Sequence, residues 1–167
     1  GATPQPAAAA SADEWSLVLD RPAIAKYNDI VFVDALHGWV VGGGAILATV
    51  DGGKTWREQA TTLGTMRSID FLDTKRGFAG NLDGALYGTT DGGATWSDIT
   101  ATLPQRAQGF CGITHVGEDV HIVGKYIGQA TDYFYSPDAG RTWQYSNLSG
   151  LAQALVEVTY TSRDVGF

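Results

Sequence analysis

Residues that commonly fix a small fold or its chemistry are scarce in this sequence. A single cysteine, Cys111, leaves no internal disulfide to form, so cysteine usage fits a reducing or an oxidising compartment equally. Cationic side chains are few. Eleven Lys and Arg stand against 18 Asp and Glu, and the formal charge of −7 opposes attraction to phosphate backbones and anionic lipid surfaces; nucleic acid is not an expected partner. No apolar run is long: stretches such as Gly38 to Val50 are interrupted by glycine and fall short of the roughly 20 residues of a helical membrane span. Histidines number only three, and His37, His115 and His121 share no ligand-like spacing, so neither a metal site nor a cofactor is expected. Glycine runs such as Gly42-Gly43-Gly44 precede strands rather than helices, which speaks against phosphate cradling.

What remains is a 167-residue chain, 44% hydrophobic, within the length of a single domain. Residues 1–12 are small residues and prolines with almost nothing to bury, and are expected to be a flexible leader. Such a leader fits the remnant left after signal-peptide removal, and therefore an exported protein (periplasmic, extracellular or thylakoid-lumen-like); a scar of recombinant production at Gly1 fits it too.

An internal repeat organises the rest. Thr49-Val50-Asp51-Gly52-Gly53-Lys54-Thr55-Trp56 recurs as Thr89-Thr90-Asp91-Gly92-Gly93-Ala94-Thr95-Trp96 and as Ser136-Pro137-Asp138-Ala139-Gly140-Arg141-Thr142-Trp143. In each copy the aspartate can accept backbone amide hydrogen bonds in an Asx-type turn, and Gly53, Gly93 or Gly140 can take the positive φ that closes it. Thr55, Thr95 and Thr142 are β-formers, and the tryptophans supply a plate able to wedge between sheets. Threefold recurrence suits a structural role better than catalysis by Asp51, Asp91 and Asp138.

The boxes are 40 and 47 residues apart, close to the roughly 40–45 residues of a four-stranded propeller blade. A second signature lies upstream: Ile30-Val-Phe32 before Gly38, Ile69-Asp-Phe71 before Gly77, and Val158-Thr-Tyr160 before Gly166, the aromatic always six residues ahead of the glycine. The fold class expected is an all-β propeller of four-stranded antiparallel blades at about 28–60, 66–99 and 109–147, with a further blade starting at 154–167. Within blade one the strands are expected at 28–34, 37–42, 45–50 and 55–60. Glu14 to Leu19 reads as the outermost strand of another blade, and the remaining blades of the ring are expected from further sequence or from another chain.

Boxes and inner strands together cover about residues 28–167 and resemble the Asp-box (BNR) repeat proteins. His37-Gly-Trp-Val-Val-Gly42, Met66-Arg-Ser-Ile-Asp-Phe71 and Thr90-Asp-Gly-Gly-Ala-Thr-Trp96 are similar to the photosystem II stability/assembly factor-like branch. That resemblance implies a seven-bladed, usually exported propeller that acts by binding another protein. Box three departs from the pattern at Ala139, and blade three has Ile113-Thr-His-Val-Gly117 where an aromatic is expected.

A non-catalytic protein-binding or assembly scaffold is therefore the expected function, with a sialidase-like glycosidase or a carbohydrate-binding propeller as the alternative. Sialidase chemistry needs clustered arginines, a tyrosine nucleophile with a glutamate partner, and an aspartate acid. The four glutamates here, Glu14, Glu58, Glu118 and Glu157, fall on outer strands, a turn and an inner-strand start, from which that arrangement does not assemble. The loops between blades carry Arg21, Arg67 and Arg106, which with Tyr27 form the expected surface for an acidic segment of a protein partner.

Overall fold

The computed structural model describes residues 26–124 and 131–167. The leader, the strand expected at Glu14 to Leu19, and Arg21 lie outside the described residues.

Antiparallel meanders account for nearly all of the structure, because short β-prone runs alternate with glycine-bearing turns. The first sheet has the order β1 (Tyr27–Phe32), β2 (Gly38–Gly42), β3 (Ala45–Thr49), β4 (Arg57–Ala60). The second runs β5 (Met66–Phe71), β6 (Gly77–Asn81), β7 (Leu86–Thr89), β8 (Ser97–Asp98), followed by a single 3-10 turn at Thr100–Thr102. The third is β9 (Gly112–Val116), β10 (Asp119–Gly124), β11 (Asp132–Ser136), β12 (Gln144–Asn147), and a two-stranded hairpin, β13 (Tyr160–Ser162) with β14 (Val165–Gly166), follows it. No helix among the described residues is long and apolar enough to cross a membrane. Contacts between sheets join β1 to β5, β5 to β9 and β9 to β13, so the first strand of each sheet lies beside the first strand of the next, as in blades set around an axis.

Strand ends follow local chemistry. β1 stops at Phe32 rather than at Asp34 because the Asp34 Oδ1 accepts the amides of Leu36 and His37, both at 2.7 Å, and bends the chain into a loop. Asp73 does the same for Lys75 and Arg76 in the second sheet. The glycine that ends each such loop has a packing reason. Phe32 pairs across the hairpin with Gly38, Phe71 with Gly77 and Tyr160 with Gly166. In each pair the ring lies over the glycine so closely that a Cβ there would come within 2.6 to 2.7 Å of ring carbons. The six-residue spacing is thus a ring laid on a bare backbone.

The core lies between sheets. Trp39, Val41, Ile46 and Ala48 of the first meet Met66, Ile69, Phe71 and Ala79 of the second; Phe78 and Leu86 of the second meet Phe110, Ile113, Val120, Ile122, Phe134 and Trp143 of the third. Trp39 stacks on Phe71 with centroids 3.5 Å apart, and Phe71 meets Trp96 edge-on at 5.8 Å. Blade three has Val116 where this ladder needs its middle ring, and Phe78 reaches Trp143 directly at 5.7 Å.

Candidate functional site

Each Asp box is a closed hydrogen-bond circuit. Asp51 Oδ1 accepts the Thr55 amide at 2.9 Å and Oδ2 the Thr55 hydroxyl at 2.6 Å. The Thr49 hydroxyl donates to Asp51 Oδ1 at 2.8 Å and itself accepts the Gly53 amide at 2.9 Å. Thr89, Asp91, Gly93 and Thr95 repeat this geometry, as do Ser136, Asp138, Gly140 and Thr142. Donation by Thr55 and Thr49 holds the Asp51 carboxyl at about 2, donation by Thr95 and Thr89 holds Asp91 at about 2, and Thr142 lowers Asp138. A carboxylate so engaged is a turn anchor.

Gly53, Gly93 and Gly140 have φ of +85°, +85° and +83°, and the residue before each is also left-handed, including Ala139 at +57°. At Gly52 and Gly92 a Cβ would lie 2.8 Å from the carbonyl oxygens of Ala35 and Thr74, in the loops anchored by Asp34 and Asp73. Blade three replaces that loop by the tight turn Val116 to Asp119, whose Glu118 carbonyl accepts the Ala139 amide at 2.8 Å. The shorter turn leaves room for the alanine methyl.

A second group of polar residues gathers where the first strands of neighbouring blades meet. Asn28 Nδ2 donates to the Met66 carbonyl at 2.6 Å, and Arg67 Nη1 donates back to the Asn28 carbonyl at 3.2 Å. Asp29 accepts from its neighbour Ile30 and, across the blade boundary, from the Ile69 amide at 2.9 Å. Asp70 accepts the Phe71 amide at 2.8 Å and meets His115 Nδ1 of the third blade at 2.7 Å. Burial pushes the Asp29 carboxyl up against the pull of those amides, with Asp70 adding repulsion. Burial likewise raises Glu157, which feels both Asp29 and Asp70, while the Asp70 hydrogen bond raises His115. Asp29, Arg67, Asp70, His115 and Glu157 therefore share one electrostatic neighbourhood on the inner strands.

Of the residues expected to bind a partner, Arg67 belongs to this group and is half-buried. Arg106 is exposed and lines a separate groove with Asp98, Thr100 and Gln105. Tyr27 packs half-buried against the cluster of Val40, Ala45 and Leu47. Arg67 thus reaches the backbone of Asn28, next to Tyr27, whereas Arg106 lines a groove of its own with residues that follow β7. Asp29 and Asp70 escape a sequence reading: they occur at different positions of their strands, and only the curvature of neighbouring blades brings them together. No group of three or more His, Cys, Asp or Glu able to hold a metal ion occurs among the described residues.

Residues 7–68 match the family model described as Photosynthesis system II assembly factor YCF48. Over 60 residues, 34% of this chain and 14% of the relative, the sequence is 40% identical to the chloroplastic photosystem II stability/assembly factor HCF136 of Cyanidioschyzon merolae. A structure of YCF48 bound to D1 peptide superposes with a TM-score of 0.62 at 27% identity, covering 76% of this chain and 41% of that one. An ancestral GH74 enzyme matches with a TM-score of 0.66 at 12% identity, covering 80% of this chain and 20% of that one, a likeness of fold alone. The chain spans well under half the length of these relatives. Its three Asp boxes, its four-stranded antiparallel blades and these likenesses make it an Asp-box β-propeller chain similar to the photosystem II stability/assembly factors.

Proposed function

We propose that the chain is a non-catalytic assembly scaffold that uses the inner-strand face of its blades to hold a segment of another protein. The observation that carries this reading is the likeness, over 76% of the chain, to an assembly factor whose structure contains a bound peptide. The carboxylates nearest the axis support it. Both oxygens of Asp29 and both of Asp70 are taken up by backbone amides or by His115, which leaves neither poised as a general acid or base. A seven-bladed ring and an exported, lumen-like compartment belong to the same proposal.

Arg67 is the cation best placed to meet a carboxylate of the partner, since it lies among the inner strands, and Arg106 is a second, outlying contact. The test is capture of acidic peptides by immobilised protein, compared with an R67E/R106E double variant of unchanged melting temperature. Weaker capture that also fades with added salt is expected. Undiminished capture by the folded variant would move the site away from these arginines. Sustained turnover of a fluorogenic glycoside panel, abolished in a stable Arg67→Ala variant, would replace the scaffold reading with an enzymatic one.

A further inference from the structure

The contact between the third blade and the hairpin that follows it contains a titratable ring. Between the first two blades the ring of Trp39 stacks on Phe71, and neither can ionise. Between the third blade and β13 the stacked pair is His121 on Tyr160, with centroids 3.7 Å apart and planes 12° from parallel. His121 is only 3% exposed. Its Nδ1 is bonded to the Tyr133 hydroxyl at 2.8 Å, and its Nε2 is buried without a hydrogen-bond partner.

We propose that His121 makes the seating of the β13–β14 hairpin on the third blade sensitive to pH, the hairpin being held while the imidazole is neutral and loosened when it takes a proton. A protonated ring carries two N–H donors and a positive charge, and the stack offers the buried Nε2 no acceptor. β13 and β14 are three and two residues long, and besides this stack the hairpin meets the third blade through Arg163 on Asp119 at 3.0 Å, Tyr160 on the Tyr133 hydroxyl at 3.4 Å and the contact of β13 with β9. Opening hydrates the ring, so the proton favours the open form.

The charged and titratable groups around the ring do not cancel this. On its own strand, Asp119 is the one anion near the imidazole, and it is engaged by the Tyr135 hydroxyl at 2.8 Å and by Arg163 Nε at 3.0 Å. From β11 come Tyr133 and Tyr135, and Tyr133 is held further from ionisation by burial. From the hairpin come Tyr160 and Arg163, the latter an added positive charge when the ring protonates. Burial lowers the affinity of His121 for a proton and Asp119 only partly restores it. The sign follows: the neutral ring's contribution is complete above its ordinary value near 6.5 and is lost as pH falls below it. Glu157, ahead of β13, works oppositely, since its carboxyl is raised by burial and then by Asp29 and Asp70, and protonation relieves both the buried charge and the repulsion.

Hydrogen exchange of the 158–167 peptide, read by mass spectrometry and corrected for intrinsic rates, tests this on the intact chain. Between pH 7.5 and 5.5 its protection should fall by up to about tenfold, the ratio set by an ordinary histidine in the open form, while the 38–49 peptide should not change. A Glu157→Gln variant should keep or enlarge the fall, and His121→Phe should remove it. Independently of any variant, the carbon-detected titration of His121 should have its midpoint below the ordinary histidine value near 6.5. Unchanged protection in the wild type, a fall that persists in His121→Phe, or a His121 midpoint at or above about 6.5 would each overturn the proposal.

Discussion

Phe78 is the side chain whose loss should report most directly on how the second and third blades are joined. It is 7% exposed, and it fills the place that Phe71 occupies at the preceding junction, meeting Trp143 edge-on and lying against Gly140. Truncation of a buried phenylalanine costs about 3–5 kcal/mol. At roughly 2–4 °C per kcal/mol for a chain of this size, Phe78→Ala should lower the thermal midpoint by roughly 6–20 °C. The geometry makes a sharper claim through Gly140. An alanine there suffers both the left-handed backbone at φ +83° and overlap of its methyl with the edge of the Phe78 ring. Gly117→Ala isolates the first cost, since Gly117 is left-handed at +61° with no atom within 4 Å of its would-be Cβ, and should cost about 1–2 kcal/mol. Gly140→Ala should cost clearly more than Gly117→Ala in the wild type and about the same in the Phe78→Ala background. Urea titrations of the four-member cycle, followed by tryptophan fluorescence, should return a coupling of about 0.5–3 kcal/mol. Additivity of Phe78→Ala and Gly140→Ala within about 0.5 kcal/mol would refute the account of this junction.

Gly77→Ala should place a methyl in the Phe71 ring and cost about 1–3 kcal/mol by overpacking, and Phe71→Leu should recover part of that loss in the same denaturation assay. The Asp boxes predict an acid limb. With Asp51 and Asp91 held at about 2 by their threonines, the stability that they contribute is present above the ordinary carboxylate value near 4 and is lost as pH falls toward 2. Melting temperatures measured between pH 5 and 2 should therefore fall less steeply in an Asp51→Asn, Asp91→Asn variant, and an unchanged slope would remove the boxes from the acid response.

Blades were legible in the sequence because their determinants are local. Thr49 to Trp56 closes on itself within eight residues, and Phe32 finds Gly38 across one hairpin, so each repeat carries its own instructions. The substitution of Ala139 could be seen but not explained, since its tolerance depends on a loop shortened some twenty residues earlier. Junctions were not legible. Asp29 finds Ile69 across 40 residues and Asp70 finds His115 across 45, in pairings that no repeat marks. His121 has the sequence appearance of an isolated strand histidine, and only the arrival of Tyr160 over its ring gives it a role. Partner chemistry was least legible of all, because the spacing of Arg67 and Arg106 along the chain carries no information about which faces of their blades they occupy.

The junction pairs also give the fold a direction in time. A meander closes its hydrogen bonds within some forty residues, so a blade can be completed on a ribosome or behind a translocation pore before the next has emerged. Each of the first two blades then presents one unfilled acceptor toward the next: the Asp29 carboxylate awaits the Ile69 amide, and the Asp70 carboxylate awaits the His115 ring. An arriving inner strand meets a hydrogen-bond acceptor placed for its native register. A chain rearranged to begin at its third blade would keep both pairings while changing the order in which their partners emerge.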